Sequence, residues 1–156
     1  MAFKFQFQSI LDLKIRLEDL KKAKLGEATE ILNSEMEKLD VLVTEKKNQF
    51  KLMKEKRDIG FTPKELISYN NYMERLKKSI SIQEKVVEKA RENVEKARIE
   101  LVNAAKERKM FETLKEKKME EYWEEYYRKE QITLDEIASY KYGVGSEKID
   151  GEEEKE

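Results

Sequence analysis

The sequence predicts an all-α protein, an antiparallel two-helix coiled-coil hairpin whose second helix is the longer. Three observations carry that prediction. Charged residues make up 43% of the 156-residue chain, yet 33 basic and 34 acidic side chains leave a net charge of -1. Apolar residues recur at alternating spacings of three and four from Leu66 to Phe111. Gly60 to Leu66 carries the marks of one sharp turn between two helices. High charge with little net charge fits either a disordered polyampholyte or a coiled coil. A sustained heptad repeat decides for the coil.

The same composition excludes whole classes of chemistry. With Cys 0 and His 0, there is no disulfide framework, no thiol nucleophile and no Ser-His-Asp or Cys-His site. One Pro and 5 Gly argue against a turn-rich β fold. Near neutrality argues against a nucleic-acid binder. No enzyme activity, cofactor, metal or small-molecule substrate is expected. No apolar run reaches the length of a membrane-spanning helix. Residues Met1 to Leu20 lack the apolar core of a signal peptide, so a soluble cytoplasmic protein is expected.

The first helix is expected over about residues 5–57, roughly 80 Å at 1.5 Å per residue. Its heptad positions fall into blocks: Leu13, Leu17 and Leu20, then Leu25, Ala28 and Leu32, then Met36, Leu39, Val43, Lys46, Phe50, Met53 and Arg57. Read as one seam, the blocks imply phase slips at Leu20–Leu25 and Leu32–Met36, which would locally unwind the supercoil. The turn is expected at 58–62. Gly60 suits the end of a helix. Thr62 suits an N-cap, Pro63 the first helical position and Glu65 the third, which completes a capping box. Phe61 and Leu66 are spaced for a hydrophobic staple.

The second helix is expected over about residues 63–140, roughly 115 Å. Its seam reads Leu66, Tyr69, Met73, Leu76, Ile80, Gln83, Val87, Ala90, Val94, Ala97, Leu101, Ala104, Arg108 and Phe111. A short connection makes the helices antiparallel neighbours, with residue i facing about residue 120 minus i. That register sets Asp12 near Arg108, the one cation well inside the second seam. The first helix runs out near Lys115, so the second projects alone beyond it. Gly143 and Gly145 should stop the helix. The residues 143–156 read as a disordered acidic tail.

Four features could carry function. Tyr122, Trp123, Tyr126 and Tyr127 form an aromatic stripe on the projecting helix. It is either a docking surface or is covered by Phe3, Phe5 and Phe7. Near the tip, Tyr72, Ile82, Val86, Val41 and Leu42 widen the apolar face beyond what pairing needs. The basic runs from Lys46 to Arg57 and from Lys106 to Lys118, each interleaved with Glu, read as solubilising faces or as phosphate or membrane-surface sites. Glu121 and Glu125 share a helix face, and a solvated face is the simpler reading of them.

Three segments resemble the FliJ family of flagellar export proteins and, more distantly, its injectisome counterparts. The first is Phe3-Lys4-Phe5-Gln6-Phe7-Gln8-Ser9-Ile10-Leu11-Asp12-Leu13-Lys14, followed by Glu18. The second is Tyr69-Asn70-Asn71-Tyr72-Met73-Glu74-Arg75-Leu76. The third runs from Glu107-Arg108-Lys109 through Arg128, Glu130, Gln131, Asp135 and Glu136 to Ala138. The resemblance implies a stalk like that of rotary ATPases, with its termini entering a hexameric export ATPase ring. It also implies contact with the membrane export gate and an escort role for export chaperones, at the inner face of the cell membrane at the flagellar base. On that basis Tyr122, Trp123, Tyr126, Arg128, Glu130, Gln131, Asp135 and Glu136 would face the ATPase. Leu42, Tyr69, Tyr72 and Leu76 would face the gate. The alternatives are a holdase chaperone built on a hairpin coil and a structural spacer.

Overall fold

The computed structural model describes residues 2–149, with side chains through residue 143. Two helices follow one another: α1, Gln8–Lys56, and α2, Pro63–Ile149. No strand occurs among the described residues, and contacts between the helices make them an antiparallel hairpin. The chain divides into two compact units. One is Leu13–Arg108, which holds the turn; the other joins the residues up to Asp12 with those from Lys109 onward.

The turn follows the sequence closely. The N–H of Gly60 donates to the carbonyl of Lys56 at 3.0 Å, and Gly60 takes a φ of 97°, a left-handed geometry that costs glycine little. The Glu65 N–H donates to Thr62 Oγ1 at 3.3 Å, and the Thr62 N–H donates to Glu65 Oε2 at 3.2 Å. The capping box is therefore closed in both directions. That bond from the Thr62 N–H, helped by Lys56, holds the Glu65 carboxyl below its ordinary value. Phe61 lines a depression with Met53 and Tyr69, whereas Leu66 remains 43% exposed. Thr62→Ala is expected to cost about 1 kcal/mol, read as a lower urea midpoint at unchanged slope.

From Tyr69 onward the seam of α2 is the one its spacing predicts; Leu66, its expected first member, is exposed. Every position of the repeat from Tyr69 to Phe111 is buried or half-buried. The seam of α1 differs from expectation. Leu13 and Leu20 are each 62% exposed and Met36 is 41% exposed. Leu17 and Val43, both in the expected seam, are half-buried beside an inward row made of Leu11, Lys14, Glu18, Lys21, Leu25, Ala28, Leu32, Glu35, Leu39, Leu42, Lys46, Gln49 and Met53. Those positions alternate by three and four without interruption, so neither expected phase slip exists. The slips arose from assigning every leucine to the seam; at several positions a charged residue occupies it instead.

The charged positions are matched across the hairpin. Lys14 pairs with Glu107 at 2.7 Å and Lys21 with Glu100 at 2.7 Å. With Lys56–Glu65 at 3.3 Å, these pairs keep the expected register to within one residue. Gln83 Nε2 donates to the Glu35 carboxylate at 2.6 Å and to the Glu35 carbonyl at 2.9 Å. Arg108 Nε donates to the carboxylate of Glu18, a partner the register did not single out. Glu18 is only 7% exposed and also lies 3.5 Å from Lys22 Nζ. The apolar core is strongest near the tip, where Met73, Leu76 and Ile80 pack with Leu39, Leu42, Val43 and Tyr69.

These bonds leave a pH signature. Gln83 lowers the Glu35 carboxyl and Lys21 lowers that of Glu100, both from an ordinary value of 4.5. A carboxyl lowered by folding stabilises the fold above its ordinary value, and the effect is lost as pH falls through the lowered one. Wild type is expected to melt above Glu100→Gln and Glu35→Gln at neutral pH. That gap is expected to close in acid; a gap that widened there would contradict the assignment.

The far ends correct two boundaries. Phe5 and Phe7 precede α1 rather than lying within it; their carbonyls accept from Gln8 at 3.3 Å and Leu11 at 3.0 Å. At the other end α2 continues to Ile149, past the expected end near 140, so the tail boundary at 143 falls inside a helix. Gly143 shows no left-handed φ. A glycine in helical φ weakens a helix by about 1 kcal/mol without ending it. Of the expected tail, residues 150–156 lie outside the described residues.

Candidate functional site

The aromatic residues of α2 sit where the partner helix ends. Lys115 Nζ donates to Gln8 Oε1 at 2.8 Å, at the first residue of α1. Beyond it the N-terminal segment supplies the cover. Phe5 is 7% exposed and meets Phe7 edge-on at 5.9 Å. Phe3 packs on Tyr122, with ring centroids 5.6 Å apart. From Glu116 to Gly143, Tyr122 is the one residue that is not exposed.

The two readings of the aromatic stripe therefore divide at a residue. Tyr122 is covered by Phe3, while Trp123 and Tyr126 are each 44% exposed and Tyr127 is 61% exposed. Trp123 is the hub. It meets Tyr122 at 5.5 Å and Tyr126 at 5.7 Å, both edge-on, and Tyr127 at 6.0 Å. Tyr126 and Tyr127 meet at 5.8 Å. Such offset ring pairs favour one another beyond the area they bury, so the rings hold a fixed shape without a second helix.

The apolar face is longer than the sequence reading made it. Met119, Leu134 and Ile137 are 40%, 57% and 50% exposed. They follow the aromatic residues at steps that keep them on the Trp123 side of a helix of 3.6 residues per turn. The continued spacing was the available signal. It was missed because Glu130 interrupts the apolar run.

The polar residues assigned to the same interface, Arg128, Glu130, Gln131, Asp135 and Glu136, are all exposed. Glu125 is held by Lys129 at 2.7 Å, and that bond lowers its carboxyl. Glu121 is held by Lys118 at 2.7 Å. Among the described residues, no three Asp or Glu side chains converge in a way that could hold a metal ion.

At the tip, the four residues assigned to a gate-facing surface separate. Leu76 is 6% exposed, and Leu42 and Tyr69 pack against its cluster. These three belong to the hairpin core. Tyr72 is at the surface, where its hydroxyl donates to Glu45 Oε1 at 3.1 Å. That carboxylate raises the phenol above its ordinary value. No helix among the described residues is long and apolar enough to cross a membrane.

Hairpin and site together define a coiled-coil protein with an exposed apolar face on the longer helix. The model of the flagellar FliJ protein family matches residues 3–147. The chain belongs to that family, and so to the coiled-coil proteins of flagellar type III export. No curated protein matches it. Among solved structures it is similar to a chain from Chlamydia trachomatis, CT670, described as a YscO homologue. The two share 23% identity and a TM-score of 0.54, over 94% of this chain and 99% of that one. That likeness bears on the fold.

Proposed function

We propose that the protein is a non-catalytic stalk and adaptor of flagellar type III export. In this reading the Met119–Ile137 face engages the hexameric export ATPase. The tip around Tyr72 contacts the export gate, and the coil escorts export chaperones. The protein works in the cytoplasm, at the inner face of the membrane at the flagellar base, without a cofactor. The observation that carries the proposal is the exposed aromatic face on a helix that outlasts its partner, inside the segment matched to the family. An exposed apolar stripe of this kind marks a protein-binding surface. Tyr and Trp are also the residues most often dominant in such surfaces.

The test is reconstitution with the purified export ATPase of the same cell. Co-elution as one complex and a faster rate of ATP hydrolysis are expected. An ATPase whose assembly and rate ignore the added protein would overturn the proposal. Because Leu76, Leu42 and Tyr69 are core residues, their substitution would weaken gate binding through unfolding. Tyr72→Ser is the variant that tests the gate-facing surface alone.

A further inference from the structure

The basic run of α1 is still without a role. From Lys46 to Arg57 there are six basic residues and one acidic residue, Glu55, in a chain of net charge -1. The excess is not spread around the tip. At the apex, Lys56, Arg57 and Lys64 are balanced by Glu55, Asp58 and Glu65, and Lys56 is paired with Glu65. The surplus belongs to Lys46, Lys47, Lys51 and Lys54, for which no ion pair exists among the described residues. Lys47, Lys51 and Lys54 follow at steps of four and three, so they form one stripe along α1.

Beside that stripe lies an apolar groove of about 440 Å³. Val43, Phe50 and Met73 line it, and Lys46, Lys47 and Lys51 border it. Met73 is buried at its floor, whereas Phe50 is 62% exposed at its side. The opposite flank of α1 is different in character. There Glu45 accepts from Tyr72 and from Gln49, so that carboxylate of α1 is held by neutral partners and does not line the groove. The groove is therefore a concave apolar site whose border has one sign of charge.

We propose that this groove binds an acidic amphipathic helix of a partner protein, laid along the flank of the hairpin. One or two bulky apolar side chains of that helix enter between Phe50 and Met73. Its carboxylates, spaced one turn apart, meet Lys47, Lys51 and Lys54 at the same spacing. A membrane surface fits less well. It is flat where the groove is concave, and it would meet an apex whose charges already balance. The inference is independent of the ATPase assignment, which concerns the other end of the helices.

The experiment uses a fluorescein-labelled synthetic helix of three heptads, with leucine on one face and glutamate beside it. Its control carries glutamine in place of glutamate. Anisotropy is read against the full chain. The glutamate peptide is expected to bind in a salt-sensitive way, as attraction between exposed charges requires. The glutamine peptide is expected to bind at least about tenfold more weakly. Lys47→Glu with Lys51→Glu, and separately Phe50→Ser, should each reduce binding by a similar factor. Ile99→Ser, at an exposed position that does not line the groove, should leave it unchanged. Lys47, Lys51 and Phe50 are exposed, so circular dichroism should show all these variants folded. Equal binding of the two peptides, or undiminished binding by the lysine variant, overturns the proposal. So does lysine-dependent sedimentation with phosphatidylglycerol vesicles that the glutamate peptide fails to displace, which would give the surface to the membrane.

Discussion

Arg108→Met is expected to destabilise the hairpin by about 3 kcal/mol, because it strands the buried Glu18 carboxylate. Glu18 is 7% exposed and accepts from Arg108 Nε. Removing one member of a buried pair leaves the other without compensation, and that is the larger part of the loss. Lys22 stands 3.5 Å from the second carboxylate oxygen, but its own side chain is 59% exposed. It recovers only part of the missing interaction. The measurement is a urea titration followed by circular dichroism, and a loss below about 1 kcal/mol would show that Lys22 or solvent suffices.

Glu18→Leu with Arg108→Leu is expected to behave in the opposite way. A buried ion pair replaced by apolar side chains is commonly neutral or stabilising, so the double variant should match or exceed wild type. Its register should suffer instead. A buried ion pair restricts which residues can face each other, as a single buried polar residue does in coiled coils generally, and here it adds to the more exposed Lys14–Glu107 and Lys21–Glu100 pairs on either side of it. Cysteine pairs placed for the native register should crosslink cleanly in wild type and give shifted pairs as well in the double variant.

That contrast explains what could be read from the sequence and what could not. The α2 seam was legible because it is almost wholly apolar, and the repeat from Tyr69 to Phe111 is the buried set. The turn was legible because Gly60, Thr62, Pro63 and Glu65 each act through local backbone chemistry. The α1 seam was legible only in part: Leu25, Ala28, Leu32, Leu39, Lys46 and Met53 face inward as expected, but its other positions were not read. Lys14, Glu18, Lys21 and Glu35 occupy it, and what keeps them there is Glu107, Arg108, Glu100 and Gln83 on the other helix. Hydrophobicity along one helix carries no record of such pairing. Leu13 and Leu20 consequently drew the phase toward the wrong face. The end of α2 was misjudged for a related reason. A glycine reads as a stop, yet it stops a helix only where the backbone turns left-handed, as at Gly60 and not at Gly143. At the candidate site the aromatic residues were visible as types. Which of them Phe3 would cover depended on a segment that precedes α1 and has no periodicity to betray it.

Trp123→Ser is expected to weaken binding to the export ATPase by about 2 kcal/mol or more, about thirtyfold in affinity. Trp123 is the ring that its neighbours share, meeting Tyr122, Tyr126 and Tyr127, and it is 44% exposed. Its removal therefore takes contact area from the interface and also frees the tyrosines that it orients. Tyr122 is the wrong residue for this test, since Phe3 packs on it and its loss would disturb the fold. Ile132→Ser is the control. It is 51% exposed but nine residues from Trp123, half a turn around the helix, and it should leave affinity within about threefold. As the only Trp in the chain, Trp123 also reports directly. Its fluorescence should shift to shorter wavelength as the ATPase covers it. Complex formation with neither that shift nor an effect of Trp123→Ser would move the interface to another face of the hairpin.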